Sequence, residues 1–98
     1  MDMYRQGDVL LTRIEVLPEG LTRRSSQVIV EGEATGHQHR LVAGDVLQDA
    51  QGRLYLAVFQ HTQVVHQDHQ PLELDPGLYA ITRQREYVAA EIDRTVLD

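Results

Sequence analysis

The sequence predicts an all-β domain, a small barrel or sandwich of six to eight short strands. Three observations carry that expectation. Short runs rich in β-branched and aromatic residues recur along the chain, Gly, Pro and Asp clusters separate them at close spacing, and apolar side chains alternate within the runs.

Taken in order, Gly7-Asp8 reads as a turn and Val9 to Ile14 as a strand. Val9-Leu10-Leu11 is more continuous than a clean alternation, which predicts a strand covered on both faces. Pro18-Glu19-Gly20 ends that segment, since proline restricts its neighbour and glycine tolerates positive φ. Thr22 to Ser26 is polar and reads as an exposed loop, and Gln27 to Val30 is a short β-rich run. His37 to Val42 is the next candidate strand, with a tight turn at Ala43-Gly44-Asp45 leading into Val46-Leu47 and another at Asp49 to Gly52. Leu54 to His66 gives the strongest β signal. Leu54, Leu56 and Val58 share one parity there, but the stretch exceeds one ordinary strand, so a bulge or hairpin is expected near Gln60 to Gln63. Leu72 and Leu74 then share a face, Asp75-Pro76-Gly77 marks a turn, and Leu78 to Thr82 begins a further strand. Val88, Ile92 and Val96 recur at a spacing of four, which permits one short C-terminal helix.

Ninety-eight residues suit a single β domain spanning 1–98. A chain of this size buries about 60–65% of its unfolded surface, enough for one core without a disulfide or structural metal. There is no cysteine, which excludes disulfides, thiolate nucleophiles and zinc-finger ligation. No apolar run approaches a membrane span, and Met1 to Arg5 lacks the basic and apolar regions of a signal peptide, so a cytoplasmic location is expected. Fifteen acidic against nine basic residues give a net charge of -6, and only Arg23-Arg24 and Arg83 to Arg85 are locally basic. Such a balance disfavours nucleic acid as a partner and leaves a protein partner or a second copy of the chain open.

All five histidines fall between His37 and His69. On a strand, His37-Gln38-His39 sends both imidazoles to one face, where two nitrogens can approach one ion. His66-Gln67-Asp68-His69 has a spacing of three, which a straight strand would splay and a turn would reunite; Pro71 favours a change of direction there. His37, His39, His66 and His69 are therefore the candidate metal ligands. Glu33, Asp68 and Glu73 are candidates for a further ligand or for acceptors of imidazole N–H. His61, beside the apolar run, reads as a structural or surface residue. Imidazole with carboxylate suits Zn, Fe, Ni or Mn, and the lack of thiolates disfavours soft ions. An open position on such an ion would support hydrolytic or oxygen chemistry. A metal-free cluster would instead form a pH-sensitive surface. The competing class is a non-enzymatic interaction module, with Arg83, Arg85 and Tyr87 as an alternating contact strip. Ser25 and Ser26 lack a nucleophile-elbow context, and no phosphate-binding glycine pattern occurs.

Two resemblances follow from these residues. The segment Glu31 to His39 resembles the cupins, small β-barrels in which an H-x-H pair and a later histidine hold a metal. That likeness implies His37 and His39 as the pair and His66 or His69 as the later ligand. The glutamate that follows the pair in that motif has no counterpart just after His39. Arg5-Gln6-Gly7-Asp8-Val9-Leu10, Gly32 to His39, His66 to Pro71 and Pro76 to Tyr87 together resemble a family of short bacterial and phage proteins of unknown function. This second likeness spans most of the chain and implies a dedicated small domain.

Overall fold

The computed structural model describes residues 3–31 and 36–83. They form ten strands in two antiparallel sheets, and no helix occurs among them. The strands are β1 (Met3–Gln6), β2 (Val9–Ile14), β3 (Thr22–Arg23), β4 (Val28–Glu31), β5 (Gln38–Leu41), β6 (Asp45–Gln48), β7 (Leu54–Val58), β8 (Thr62–His66), β9 (His69–Leu74) and β10 (Gly77–Arg83). One sheet has the order β1-β2-β10-β7-β6-β3 and the other β4-β5-β8-β9. The architecture is sandwich-like or barrel-like but not a closed barrel. The amphipathic spacing at Val88, Ile92 and Val96 lies outside the described residues.

Ten strands exceed the six to eight predicted, and the surplus has identifiable causes. β1 is short and mostly outside the core, so its sequence carries little apolar signal. Thr22 to Ser26 is not wholly a loop: Thr22 and Arg23 pair with Gln48 and Leu47, and the Arg24 amide donates to the Val46 carbonyl. Backbone pairing holds that polar edge, with a loose, exposed ion pair from Arg23 to Asp45 at 3.8 Å beside it. The expected break in residues 54–66 falls at Phe59 to His61, where the chain leaves the larger sheet and enters the smaller one. β7 and β8 are therefore not hairpin partners.

Alternation fills the core from both sheets. Val9 and Leu11 of β2, Leu56 and Val58 of β7, and Tyr79 of β10 meet Ile29, Leu41, Val64 and Leu74 from β4, β5, β8 and β9. Leu10 is only half-buried, so β2 is covered chiefly on one face. The Tyr79 hydroxyl donates to the Asp75 carbonyl at 2.6 Å, which satisfies its one polar group as the ring is buried. At Gly44 (φ 121°), a Cβ would come within 2.9 Å of the Ala57 carbonyl oxygen, so the turn into β6 requires glycine.

Two irregularities bring the histidine-bearing segments into place. Between the pairs Val64–Leu72 and His66–His69, β9 carries one residue more than β8. That bulge contains Pro71 on an edge strand, where a missing N–H breaks no ladder. The reversal itself lies at Gln67-Asp68, before Pro71, so His66 and His69 face each other across a two-residue turn.

The seam between β1 and the smaller sheet is closed by Gln6, which is almost wholly buried. Its amide nitrogen donates to the Val64 carbonyl at 2.9 Å and the Gln70 carbonyl at 2.8 Å. Its amide oxygen faces His39 Nδ1 at 2.9 Å. Replacing Gln6 with Leu would strand three polar groups, each costing about 1–3 kcal/mol when buried without a partner. We expect Gln6→Leu to destabilise the fold by about 3 kcal/mol or more in urea denaturation. A loss below about 1 kcal/mol would show that the seam closes without this amide.

Candidate metal centre

The four histidines singled out by spacing come together around the β8–β9 turn. His39 sits on β5 with the inward parity of Leu41 and is buried. His37 lies just before that strand, and His66 and His69 flank the β8–β9 turn. The His66 ring is central. Its centroid lies 4.3 Å from that of His39, 4.7 Å from His69 and 5.8 Å from His37. The His69 ring stacks on His39 at 5.9 Å. Imidazoles sharing a tetrahedral ion at about 2.0–2.1 Å place their centroids about 5 Å apart, so these spacings are of the right scale.

Hydrogen bonds assign the protons. Both hydrogens of the Gln6 amide go to backbone carbonyls, so its oxygen must accept and His39 Nδ1 must donate. Neutral His39 therefore carries its lone pair on Nε2. His37 Nδ1 lies 2.6 Å from Asp68 Oδ2 and donates to that carboxylate, which likewise places the lone pair of the neutral ring on Nε2. A carboxylate or amide oxygen behind a ligating imidazole is the usual arrangement for orienting it. His66 is set differently, because its Nδ1 accepts from the Asp68 backbone amide at 3.0 Å. That ring spends its Nδ1 lone pair on the Asp68 amide and carries its N–H at Nε2.

His39 Nε2 faces Asp8 Oδ1 at 3.7 Å. Burial, reinforced by the neighbouring His66, pushes the His39 imidazole down to about 4, so it is neutral at pH 7. Two acceptors then oppose each other. Their spacing is within about 0.3 Å of the ~3.4 Å between two donor atoms on a tetrahedral ion. The other Asp8 oxygen lies 3.5 Å from the Arg83 guanidinium, whose Nε is buried without a hydrogen-bond partner. Among the described residues, the group of three whose donor atoms all lie within 4.8 Å of one another is His37, His66 and Asp68; His39 and Asp8 are a pair beside it.

Gly7 makes room for His69. It has φ 61°, and a Cβ there would stand 2.6 Å from His69 Nε2. The β1–β2 turn thus contributes Gln6, Gly7 and Asp8 in succession. From the sequence Gly7-Asp8 is a turn and no more, and Gln6 is not marked for a role. Its one available signal was a glycine turn flanked by polar groups near a β segment.

Other candidate residues lie elsewhere. Glu73 accepts from His61 Nε2 at 2.5 Å and from Gln63 at 2.6 Å, so its carboxylate is engaged away from the four-histidine group. Hydrogen bonds to Glu73 and then Asp75 raise the His61 pKa, while His61 and Gln63 lower that of Glu73. Arg83 turns toward Asp8 instead of standing free as a contact residue. Glu33, Arg85 and Tyr87 lie outside the described residues.

The pH response follows from the His39 environment. Its folded value near 4 lies below the unfolded value of 6.5, so the unfolded chain binds more protons between them. Stability is full above about pH 6.5 and is lost as pH falls toward about 4. His66 is shifted down as well, by burial and by His69, and acts in the same direction. The upward shift at exposed His61 acts oppositely and is screened by solvent. We expect chelator-treated protein to lose up to about 3 kcal/mol across that window, and His39→Gln to flatten the loss. Urea denaturation at a series of pH values measures it, and an unchanged slope in the variant would overturn the assignment to His39.

No helix among the described residues is long and apolar enough to cross a membrane. Neither the curated proteins nor the solved structures include a match to this chain. Residues 5–84 match a family described as a domain of unknown function (DUF8820), a span that takes in Gln6, Asp8 and all five histidines. The chain belongs to the DUF8820 family.

Proposed function

We propose that this domain binds one divalent transition ion through its histidine cluster, with His39 Nε2 and His37 Nε2 as the oriented imidazole donors. Asp8 supplies a carboxylate oxygen, and His69 completes the shell, or His66 once its Nδ1 releases the Asp68 amide. His37, grouped with His66 and Asp68 before an ion binds, joins His39 by side-chain rotation. One observation carries this reading: a buried, neutral imidazole points its lone pair at a carboxylate oxygen 3.7 Å away. A cation between them turns a repulsive contact into two bonds. Gln6 and Asp68 hold the two rings by their Nδ1 hydrogens. The donor set is nitrogen and oxygen, which suits Zn, Fe, Ni or Mn. With an exchangeable water such an ion would polarise a substrate or supply hydroxide, so a metal-dependent enzyme is the extension of the same reading.

Protein purified without a histidine tag should retain or take up about one ion per chain at neutral pH, and lose it on acidification as protons compete for the imidazoles. His37→Ala with His39→Ala should abolish stoichiometric binding. His66→Ala with His69→Ala should weaken it strongly, and Asp8→Asn should cost about 10-fold or more in affinity. His61→Ala should leave it unchanged. The apo fold should persist, because the core is built from apolar strands of both sheets. Elemental analysis and calorimetric titration of each variant test this. Uptake below about 0.1 ion per chain would remove the metal reading and leave the interaction module ahead.

A further inference from the structure

The outer face of the smaller sheet carries a groove of about 320 Å³ lined by Gln38, Arg40, Val65, His66 and Gln67. It meets the histidine cluster at His66, which belongs to both. Four of its features point to one ligand chemistry. Arg40 is exposed on β5 and its guanidinium has no hydrogen bond or ion pair among the described residues, although the chain has 15 acidic residues against 9 basic ones. The lining contains no carboxylate. Of the acids beside it, Glu31 accepts from the Gln38 amide nitrogen at 2.9 Å and Asp68 from His37 Nδ1 at 2.6 Å. Finally, the Gln67 amide oxygen accepts from the Gln38 backbone N–H at 2.9 Å, which leaves the Gln67 NH₂ group as the donor end of that amide.

A guanidinium with a matched fork of donors, a side-chain NH₂ and an apolar wall at Val65 recognise a planar or tetrahedral oxyanion. We propose that this groove binds a small oxyanion-bearing ligand, a carboxylate or a phosphate, and delivers it to the ion held by the histidine cluster. The inference rests on the metal reading above and gives that site a substrate class. Arg40 acts as a binding residue. It supplies charge to the ligand without touching the imidazoles, so its loss should spare metal binding.

The test uses the full chain, metal-free and zinc-loaded, with malonate and inorganic phosphate as separate probes followed by ¹H–¹⁵N NMR. Saturable shifts at Arg40, Val65 and Gln67 are expected with at least one probe, and the tighter of the two identifies carboxylate or phosphate as the source. Zinc should tighten that binding several-fold. Arg40→Gln should weaken it by about 10-fold or more while zinc stoichiometry, checked by elemental analysis after each titration, stays at the wild-type value. An unchanged anion affinity in Arg40→Gln, or shifts scattered over the surface, would overturn the groove assignment. Failure of zinc to bind would sink the metal reading on its own terms. The metal-free titration then still decides whether Arg40 and Gln67 form an anion site. If zinc binds but leaves anion affinity unaltered, the groove does not serve the metal and the proposal falls.

Discussion

The side-chain amide of Gln6 is the constraint on which the histidine cluster depends. Its NH₂ group is spent on two backbone carbonyls, one on β8 and one in the β9 bulge, so the amide has one orientation only. A single residue thereby joins β1 of the larger sheet to both strands of the neighbouring hairpin. The same orientation aims an oxygen at His39 Nδ1 and so decides which imidazole nitrogen keeps its lone pair. Seam closure and proton placement are one event, since neither carbonyl can be released without freeing the amide to turn. Buried polar networks of this kind stabilise only when every member is satisfied.

Histidines within one short stretch meet opposite electrostatic conditions here, and the difference comes from the sheets. His39 points inward between the layers, where loss of water disfavours the imidazolium and neighbouring His66 adds repulsion. His61 stands at the crossover between sheets, exposed and bracketed by Glu73 and Asp75, which favour its charged form. A proton is therefore natural to His61 and foreign to His39. At neutral pH the His39 ring therefore brings no positive charge to the Asp8 carboxylate.

Much of this was legible in the residues. The bounds of β2, the turns at Gly7-Asp8 and Asp49 to Gly52, and the inward parity of Leu54, Leu56 and Val58 follow from local alternation and turn chemistry. The H-x-H pair and the His66/His69 pair were visible as spacings, and the Gln67-Asp68 turn explains how a spacing of three faces one way. What stayed hidden was non-local. Gln6 contacts groups 33 to 64 positions away, and no pattern within β1 marks a glutamine for that task. Asp8 looked like turn chemistry because aspartate is common in turns for reasons unrelated to ligation. Glu73 reads from the sequence as a further ligand or acceptor for the four-histidine group, yet β9 carries it toward His61. The break between β7 and β8 reads as a bulge or hairpin because sheet membership leaves no trace in a run of alternating residues.

Asp8 ends up between a permanent cation and a neutral ring. Arg83 reaches it from β10, but at 3.5 Å and with its own Nε unsatisfied, so the pair is loose. A carboxylate held firmly by a bidentate guanidinium would give up little to an ion; one held loosely keeps an oxygen to offer. The register Arg83–Val9 fixes how near that guanidinium comes, since the last residue of β10 lies beside the first of β2. The β1–β2 turn thus presents Asp8 to His39 under partial restraint, tight enough to set direction and slack enough to leave one oxygen unclaimed. Strand register, carried along β2 and β10 by pairs such as Leu11–Ile81 and Val9–Arg83, in this way sets where the Arg83 charge stands beside Asp8.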